Sequence, residues 1–350
     1  MYVGIGARLC RNVRDAYTGL FAGVLILMMS RQDFMKKHII YVFTMDGEKV
    51  SFSNDNLLVR DCEGNVKLQT TCYRIFSLCV IGHITLTSGL IQRSHKFGFT
   101  IVLMSPSMRV IDVIGNQSEG NTLLRRLQYE SRGTELGKHV IRNKILNQIS
   151  VLDMQRTNDQ ELKHCKESLT NLMSSLEEYD DVRSIMGVEG TAARMYFSCN
   201  FRSEDWNGRK PRIKTDFINS TLDIGYTILF NYVDSFLRLY GFDTYHGILH
   251  TEYYLRKSLV CDMVEPFRPL IDWQVRKSIN LKQCRPEHFN VVDGRYLLNI
   301  EHNRDYVRFL SKPLIDNREE MFLYFQSFYR SFIRSKDVCD YPTFRIGGVR

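Results

Sequence analysis

The chain has 350 residues, enough for two domains with substantial cores, and its 44% hydrophobic and 25% charged content is that of an ordinary globular protein. A formal net charge of +8 favours a polyanionic partner such as nucleic acid. Nine cysteines, scattered from Cys10 to Cys339 with no Cys-x-x-Cys pair, argue against a zinc ribbon or a disulfide framework and predict reduced thiols in a cytoplasmic protein.

Residues 1–38 open with Arg8, Arg11 and Arg14 ahead of an apolar run over 19–29, which superficially resembles a secretion signal. The run is too short to span a bilayer as a helix, and only Ser30-Arg31-Gln32-Asp33 follows it, without a small-x-small cleavage signature. The expectation is an extension outside the core, with Met28, Met29 or Met35 as alternative starts; the alternative is a helix packed on the body.

From Ile39 the pattern changes to period-2 alternation. Residues 39–44, 49–53, 57–60 and 66–70 read as short strands separated by Asp46-Gly47, Asn54-Asp55-Asn56 and Glu63-Gly64-Asn65. The longer apolar runs 75–84 and 99–104 suit buried strands, with a short helix over 88–96 between them. The expected fold is α+β: a small N-terminal β-sandwich domain over 39–114, a glycine-bearing linker over 115–122, and a larger, mainly α-helical catalytic and DNA-binding domain over 123–350. The β-rich part has no acid/base cluster, so packing and dimerisation suit it better than chemistry.

Beyond the linker, Leu136, Val140, Ile141, Ile145, Ile149 and Leu152 recur at helical spacing, as do Leu162, Cys165, Leu169, Leu172, Met173 and Leu176. Lys138, His139, Arg142 and Lys144 lie between the apolar positions of the first stripe, either as a solvated basic face or as a phosphate-contacting edge. The stretch over 204–214 is a turn-rich loop with Arg209, Lys210, Arg212 and Lys214, suited to a DNA backbone. A long helix over 216–240, capped by Thr215 or Asp216, follows. Helices are also expected over 273–280, about 303–310 and 319–333, before an extended tail over 342–350.

The chemistry concentrates over 250–272. Asp262 and Glu265 are three apart, so a helix there would project both carboxylates from one face, and Pro266 would end or kink it. His250 closes the short apolar run Gly247-Ile248-Leu249-His250, which a loop could fold over those carboxylates. Upstream, Glu189 stands between Gly187 and Gly190, where small residues would admit another backbone and place the carboxylate at a buried helix start. Glu189, His250 and Glu265 together would form a three-ligand site, and one histidine with hard oxygens suits Mg²⁺ or Mn²⁺ better than zinc. Without a cation the converging carboxylates would repel, so loss of one ligand should leave stability unchanged or raised.

VEGTAARMYF (188–197), GILH (247–250) and DMVEPFRPLID (262–272), in this order and spacing, resemble the catalytic subunit of the CRISPR spacer-acquisition integrase, the CRISPR-associated protein "Cas one". KILNQ (144–148), DIGYTIL (223–229) and Phe344-Arg345-Ile346 are similar to that family too, and the likeness runs from about Ile39 to Ile346. It is nearest to members from class 2 loci. The resemblance implies that Glu189, His250 and Glu265 bind a divalent ion, with Asp262 an extra ligand or an orienting residue. It implies a β-sandwich used in self-association. It further implies joining of the 3′-hydroxyls of short duplex DNA, the prespacer, to repeat ends in the leader-repeat DNA by transesterification. A homodimer or tetramer, a small ferredoxin-like companion subunit and no membrane partner are the implied associations. Lys144, Arg209, Lys210, Arg212, Lys214 and Arg268 are the candidate DNA contacts. A nuclease using water and a non-catalytic DNA-binding scaffold remain the alternatives.

Overall fold

The structure, a computed structural model, describes residues 29–115, 121–131, 134–156, 159–202, 206–250 and 253–347. The signal-like segment, and most of the expected linker, fall outside them. The chain divides into two units, Met1–Lys37 and His38–Arg350. Among its described residues the first contains the short helix α1 (Arg31–Met35), whose N-cap Ser30 accepts a hydrogen bond from the Asp33 amide.

In the second unit the strands come first. β1 (His38–Phe43), β2 (Lys49–Ser53), β3 (Asn56–Arg60), β4 (Val66–Thr71), β5 (Ile75–Ile81), β6 (Thr100–Met104) and β7 (Val110–Ile114) form two sheets, and helix α2 (Ser88–Phe97) joins β5 to β6. β2, β3 and β4 make an antiparallel meander; the other sheet has the order β1-β5-β6-β7, with β1, β5 and β6 parallel and β7 antiparallel. Ile40, Val42, Leu57, Val59, Leu78, Val80 and Ile101, with Leu90 and Phe97 of α2, form the core shared by both sheets. Every residue of β5 is buried, as expected of a central parallel strand covered on both faces. The alternation locates β1 to β4, and the longer apolar runs β5 and β6, to within a few residues; β7 has no counterpart among the expected strands.

The helical part comprises α3 (Thr122–Glu130), α4 (Glu135–Asp153), α5 (Gln160–Ser175), α6 (Val182–Asn200), α7 (Phe217–Tyr240), α8 (Ser258–Met263), α9 (Arg268–Asn280), α10 (Asn303–Asp316) and α11 (Arg318–Ile333). A hairpin, β8 (Phe289–Val292) and β9 (Arg295–Leu298), interrupts it. α7 is the axis. Asp216 caps its N-terminus by accepting from the Asn219 amide, and Gly241 ends it in the left-handed region at φ +83°. Phe236 stacks on Phe325 and Tyr240 on Tyr329 of α11, while Phe76 of β5 meets Tyr232 and Phe236. Stacked and edge-on rings thus join the strands to the helices through α7.

Candidate active site

Four segments supply the site. α4 brings Lys144, α6 brings Glu189, the loop after α7 brings His250, and α8 with the turn behind it brings Asp262 and Glu265. The last two do not act as a pair. Pro266 lacks an amide proton and sits in a short 3₁₀ turn, Glu265–Phe267, between α8 and α9. That break separates the directions of the two carboxylates.

Asp262 is buried and turns toward the His250 loop. Its Oδ2 accepts from the amides of Ile248 at 2.6 Å and Leu249 at 3.1 Å; its Oδ1 accepts from the His250 amide at 3.1 Å and contacts His250 Nδ1 at 2.6 Å. Four contacts occupy this carboxylate and tie it to the His250 loop. Holding Nδ1 leaves Nε2 as the ring atom available to a ligand. Gly247 makes the closure possible, because a Cβ there would lie 2.9 Å from Asp262 Oδ2 and 2.6 Å from the His250 carbonyl oxygen.

Glu265 turns the other way. Its Oε2 lies 2.6 Å from Lys144 Nζ and its Oε1 2.9 Å from Arg268 Nε, ion pairs whose angles leave Oε2 without an aligned hydrogen bond. Burial alone would raise its pKa, but Arg268 and Lys144 override burial and hold it below the usual carboxylate range. Lys144 donates also to Glu189 Oε1, so one ammonium bridges both carboxylates. Burial opposes the Lys144 charge, yet Glu189 and Glu265 together hold its pKa above the ordinary value.

Two expectations need correction. Glu189 is not at a buried helix start: α6 begins at Val182 behind the Asp181 cap, and Glu189 lies half-buried in mid-helix. A Cβ added to Gly187 or Gly190 would meet nothing within 4 Å, so no backbone packs against that face among the described residues. Nor is Lys144 a surface cation poised for phosphate, since only 6% of it is exposed. Among the described residues no three His, Cys, Asp or Glu side chains converge closely enough to enclose an ion. The charge between Glu189 and Glu265 is the Lys144 ammonium. The donor set nevertheless suits a hard divalent cation: two carboxylates already share a positive charge, one oxygen lacks an aligned donor, and the imidazole is fixed through its other nitrogen.

The remaining candidate DNA contacts separate into two groups. Arg209 points inward, bonding Asn219 at 2.8 Å and Asp223 at 2.6 Å, with its guanidinium 5.3 Å from the Tyr226 ring centre. Arg268 lies over the same ring at 4.7 Å and is tied to Glu265. Lys210 and Arg212 are exposed and Lys214 is half-buried, on a loop whose backbone is fixed by the Arg212 amide to Asp223 and the Tyr296 amide to the Lys214 carbonyl. The basic face expected on α4 is likewise engaged. Lys138 pairs with Glu135 and Asp180, Arg142 with Glu177, and His139 Nε2 lies 3.0 Å from the Pro342 carbonyl oxygen.

One further buried pair lies in stretches singled out in the sequence, but the pairing itself was not expected. Tyr226 of α7 donates to Asp272 of α9, and burial pushes Asp272 up to about 6 against the lowering effects of that bond, Lys144, Arg268 and Arg209.

Strands followed by a helical body form the scaffold that carries the Glu–Lys–Glu bridge and the Asp-held histidine. The profile of the family described as CRISPR associated protein Cas1 covers residues 40–312, and the chain belongs to that family. A curated relative, the CRISPR-associated endonuclease Cas1 2 of Rhodospirillum rubrum, is 30% identical over 298 residues, spanning 78% of this chain and 85% of the relative. A casposase bound to integration product superposes with a TM-score of 0.73 at 19% identity, over 89% of this chain and 96% of that one. A chain of a Cas6-RT-Cas1–Cas2 complex gives a TM-score of 0.73 at 20% identity, over 89% of this chain but 36% of that longer one. The last two likenesses concern the fold.

Proposed function

We propose that the chain is a divalent-metal-dependent DNA integrase of CRISPR adaptation, joining the 3′-hydroxyls of short duplex DNA to repeat ends. The observation that carries the reading is that, in a Cas1-family chain, Lys144 bridges Glu189 and Glu265 while Asp262, three residues before Glu265, holds His250 by Nδ1. Glu189, Glu265 and His250 Nε2 would hold Mg²⁺ or Mn²⁺, which when bound supplies a Lewis acid for the phosphoryl oxygen. Asp262 keeps the imidazole in one tautomer and orientation, and Arg268 holds Glu265 through the oxygen that Lys144 does not contact. In the reaction a 3′-oxygen bonds to phosphorus as the repeat strand's 3′-oxygen leaves and takes up a proton, so one phosphodiester replaces another and no nucleotide cofactor is needed.

The partners we assign are prespacer and leader-repeat duplexes, a second copy of the chain through the β-rich region over 39–114, and a small companion subunit. The Cas6-RT-Cas1–Cas2 complex supports the companion, and the casposase bound to integration product supports the DNA. The likeness to class 2 members rests on the motif sequences alone. The name endonuclease carried by the R. rubrum relative favours a second reading, in which water replaces the 3′-hydroxyl at the same site.

A labelled short duplex incubated with a supercoiled repeat-bearing plasmid separates these outcomes. Metal-dependent transfer of label to the plasmid is expected. Nicking without transfer would leave the nuclease reading, and binding without either would leave a scaffold.

A further inference from the structure

The C-terminal segment docks on α4 by a simple geometrical match. His139, Asn143 and Asn147 are four residues apart on one face of that helix, and they meet Pro342, Phe344 and Ile346, which are two apart on the tail. Four helical residues advance about 6 Å, and two extended residues advance about 6.6 Å, so the two repeats keep step. Asn143 donates to the Phe344 carbonyl at 2.6 Å and accepts from its amide at 2.9 Å. Asn147 donates to the same carbonyl at 3.0 Å and accepts from the Ile346 amide at 3.0 Å.

Asn147 does one thing more. Its Nδ2 also donates, at 2.8 Å, to the carbonyl of Pro266, the residue directly after Glu265. It is fully buried, so each of these bonds forms away from water, where an unmet partner is costly. The tail grips the same turn a second time: the Phe344 ring lies 4.7 Å from that of Phe267, which is itself wholly buried. The 3₁₀ turn that presents Glu265 is therefore clamped by a side chain of α4 and a side chain of the tail. Lys144, one helical turn before Asn147, binds the Glu265 carboxylate that this turn carries.

We propose that the tail over 342–346 is a positioning element of the active site, and that Asn147 is the positioning residue coupling tail docking to the placement of Glu265. The inference rests on the integrase reading for what Glu265 does, and on this chain's own contacts for the coupling. An undocked tail leaves the Glu265–Phe267 turn loose and the site poorly assembled; a docked tail fixes it. Asn143, which bonds the tail but not Pro266, has a weaker hold on the site.

Hydrogen–deuterium exchange and Mn²⁺ titration on the full-length chain test this. Asn147→Ala should speed exchange over 262–268 by about tenfold and weaken Mn²⁺ binding by about tenfold, the lower end of what loss of a ligand-orienting partner does. DNA affinity and the circular dichroism spectrum should stay as in the parent chain. Asn143→Ala should move both quantities less. Should Asn147→Ala fail to fold, Phe344→Ala, which leaves α4 intact, is expected to change the same two quantities in the same direction. Unchanged exchange over 262–268 in a folded variant overturns the coupling. Faster exchange with unchanged Mn²⁺ affinity reduces the tail to a structural strap and also overturns the proposal. A parent chain that binds no Mn²⁺ and joins no DNA removes the integrase reading and with it the positioning role, while the exchange comparison distinguishes that failure from loss of the coupling.

Discussion

At Lys144 the charge balance differs from that of a site made only of acids. Were Glu189, Glu265 and His250 alone, mutual repulsion would make removal of a carboxylate harmless to the metal-free fold. Instead Glu265 answers two buried or half-buried cations, Lys144 and Arg268. Removing one member of such a pair strands the other, a cost of about 3 to 5 kcal/mol when both are well buried. Glu265→Ala is thus expected to abolish strand transfer and to lower metal-free stability by about 2 to 4 kcal/mol in urea unfolding. Lys144→Met added to Glu265→Ala should recover part of that loss. Glu265→Ala as stable as the parent would show that the ion pairs contribute nothing net. Asp262→Ala should lower transfer through misplacement of His250, and it should also loosen the loop over 248–250, whose three amides it collects.

At the scale of elements, a good deal was legible, and the misses have identifiable causes. Period-2 alternation with turn residues found β1 to β4, the longer apolar runs found β5 and β6, and the expected helix over 216–240 coincides with α7, its cap being Asp216 rather than Thr215. Gly187 and Gly190 suggested a helix boundary, but helix propensity is a weak force of about 1 kcal/mol per glycine, and the buried stripe Ile185, Val188, Ala192, Tyr196 outweighs it. The hairpin β8–β9 was missed although Asp293-Gly294 at its turn is a strong hairpin signal. α10 continues through Pro313 to Asp316, beyond the expected end near Leu310. The site's acids and histidine were legible as residue types; the placement of Lys144 between them, and of Asn147 on the tail, depends on contacts between segments far apart in sequence. The contact between α7 and α9 gives a pH prediction. Asp272 titrates near 6 in the fold against an ordinary value of 3.8. A raised acid favours the folded state most when protonated, so its contribution is full below about pH 4 and is lost as pH rises through about 6. Asp272→Asn, which stays neutral, should raise the melting temperature at pH 7.5, by an amount corresponding to about 2 to 3 kcal/mol, and change it little at pH 4. A variant less stable than the parent at pH 7.5 would mean that the Tyr226 bond outweighs the desolvation of the charge.

For the whole molecule the 47 lysines and arginines overstate the cations free to meet DNA. Lys138, Arg142, Lys144, Arg209 and Arg268 each already face a carboxylate. Lys210 and Arg212 are different: both are exposed, on a loop anchored by Asn219 and Asp223, so their charges are available while their backbone is fixed. Counterion release then makes the two classes separable. Lys210→Ala and Arg212→Ala should each flatten the log–log salt dependence of duplex binding by about 0.9 and weaken binding equally for all sequences. Arg209→Ala should instead lower thermal stability, by stranding Asp223, and leave the salt slope close to that of the parent chain. A slope unchanged in the Lys210 and Arg212 variants would return the loop to ordinary solvated surface and move the search for the DNA path to other basic faces of the helical region.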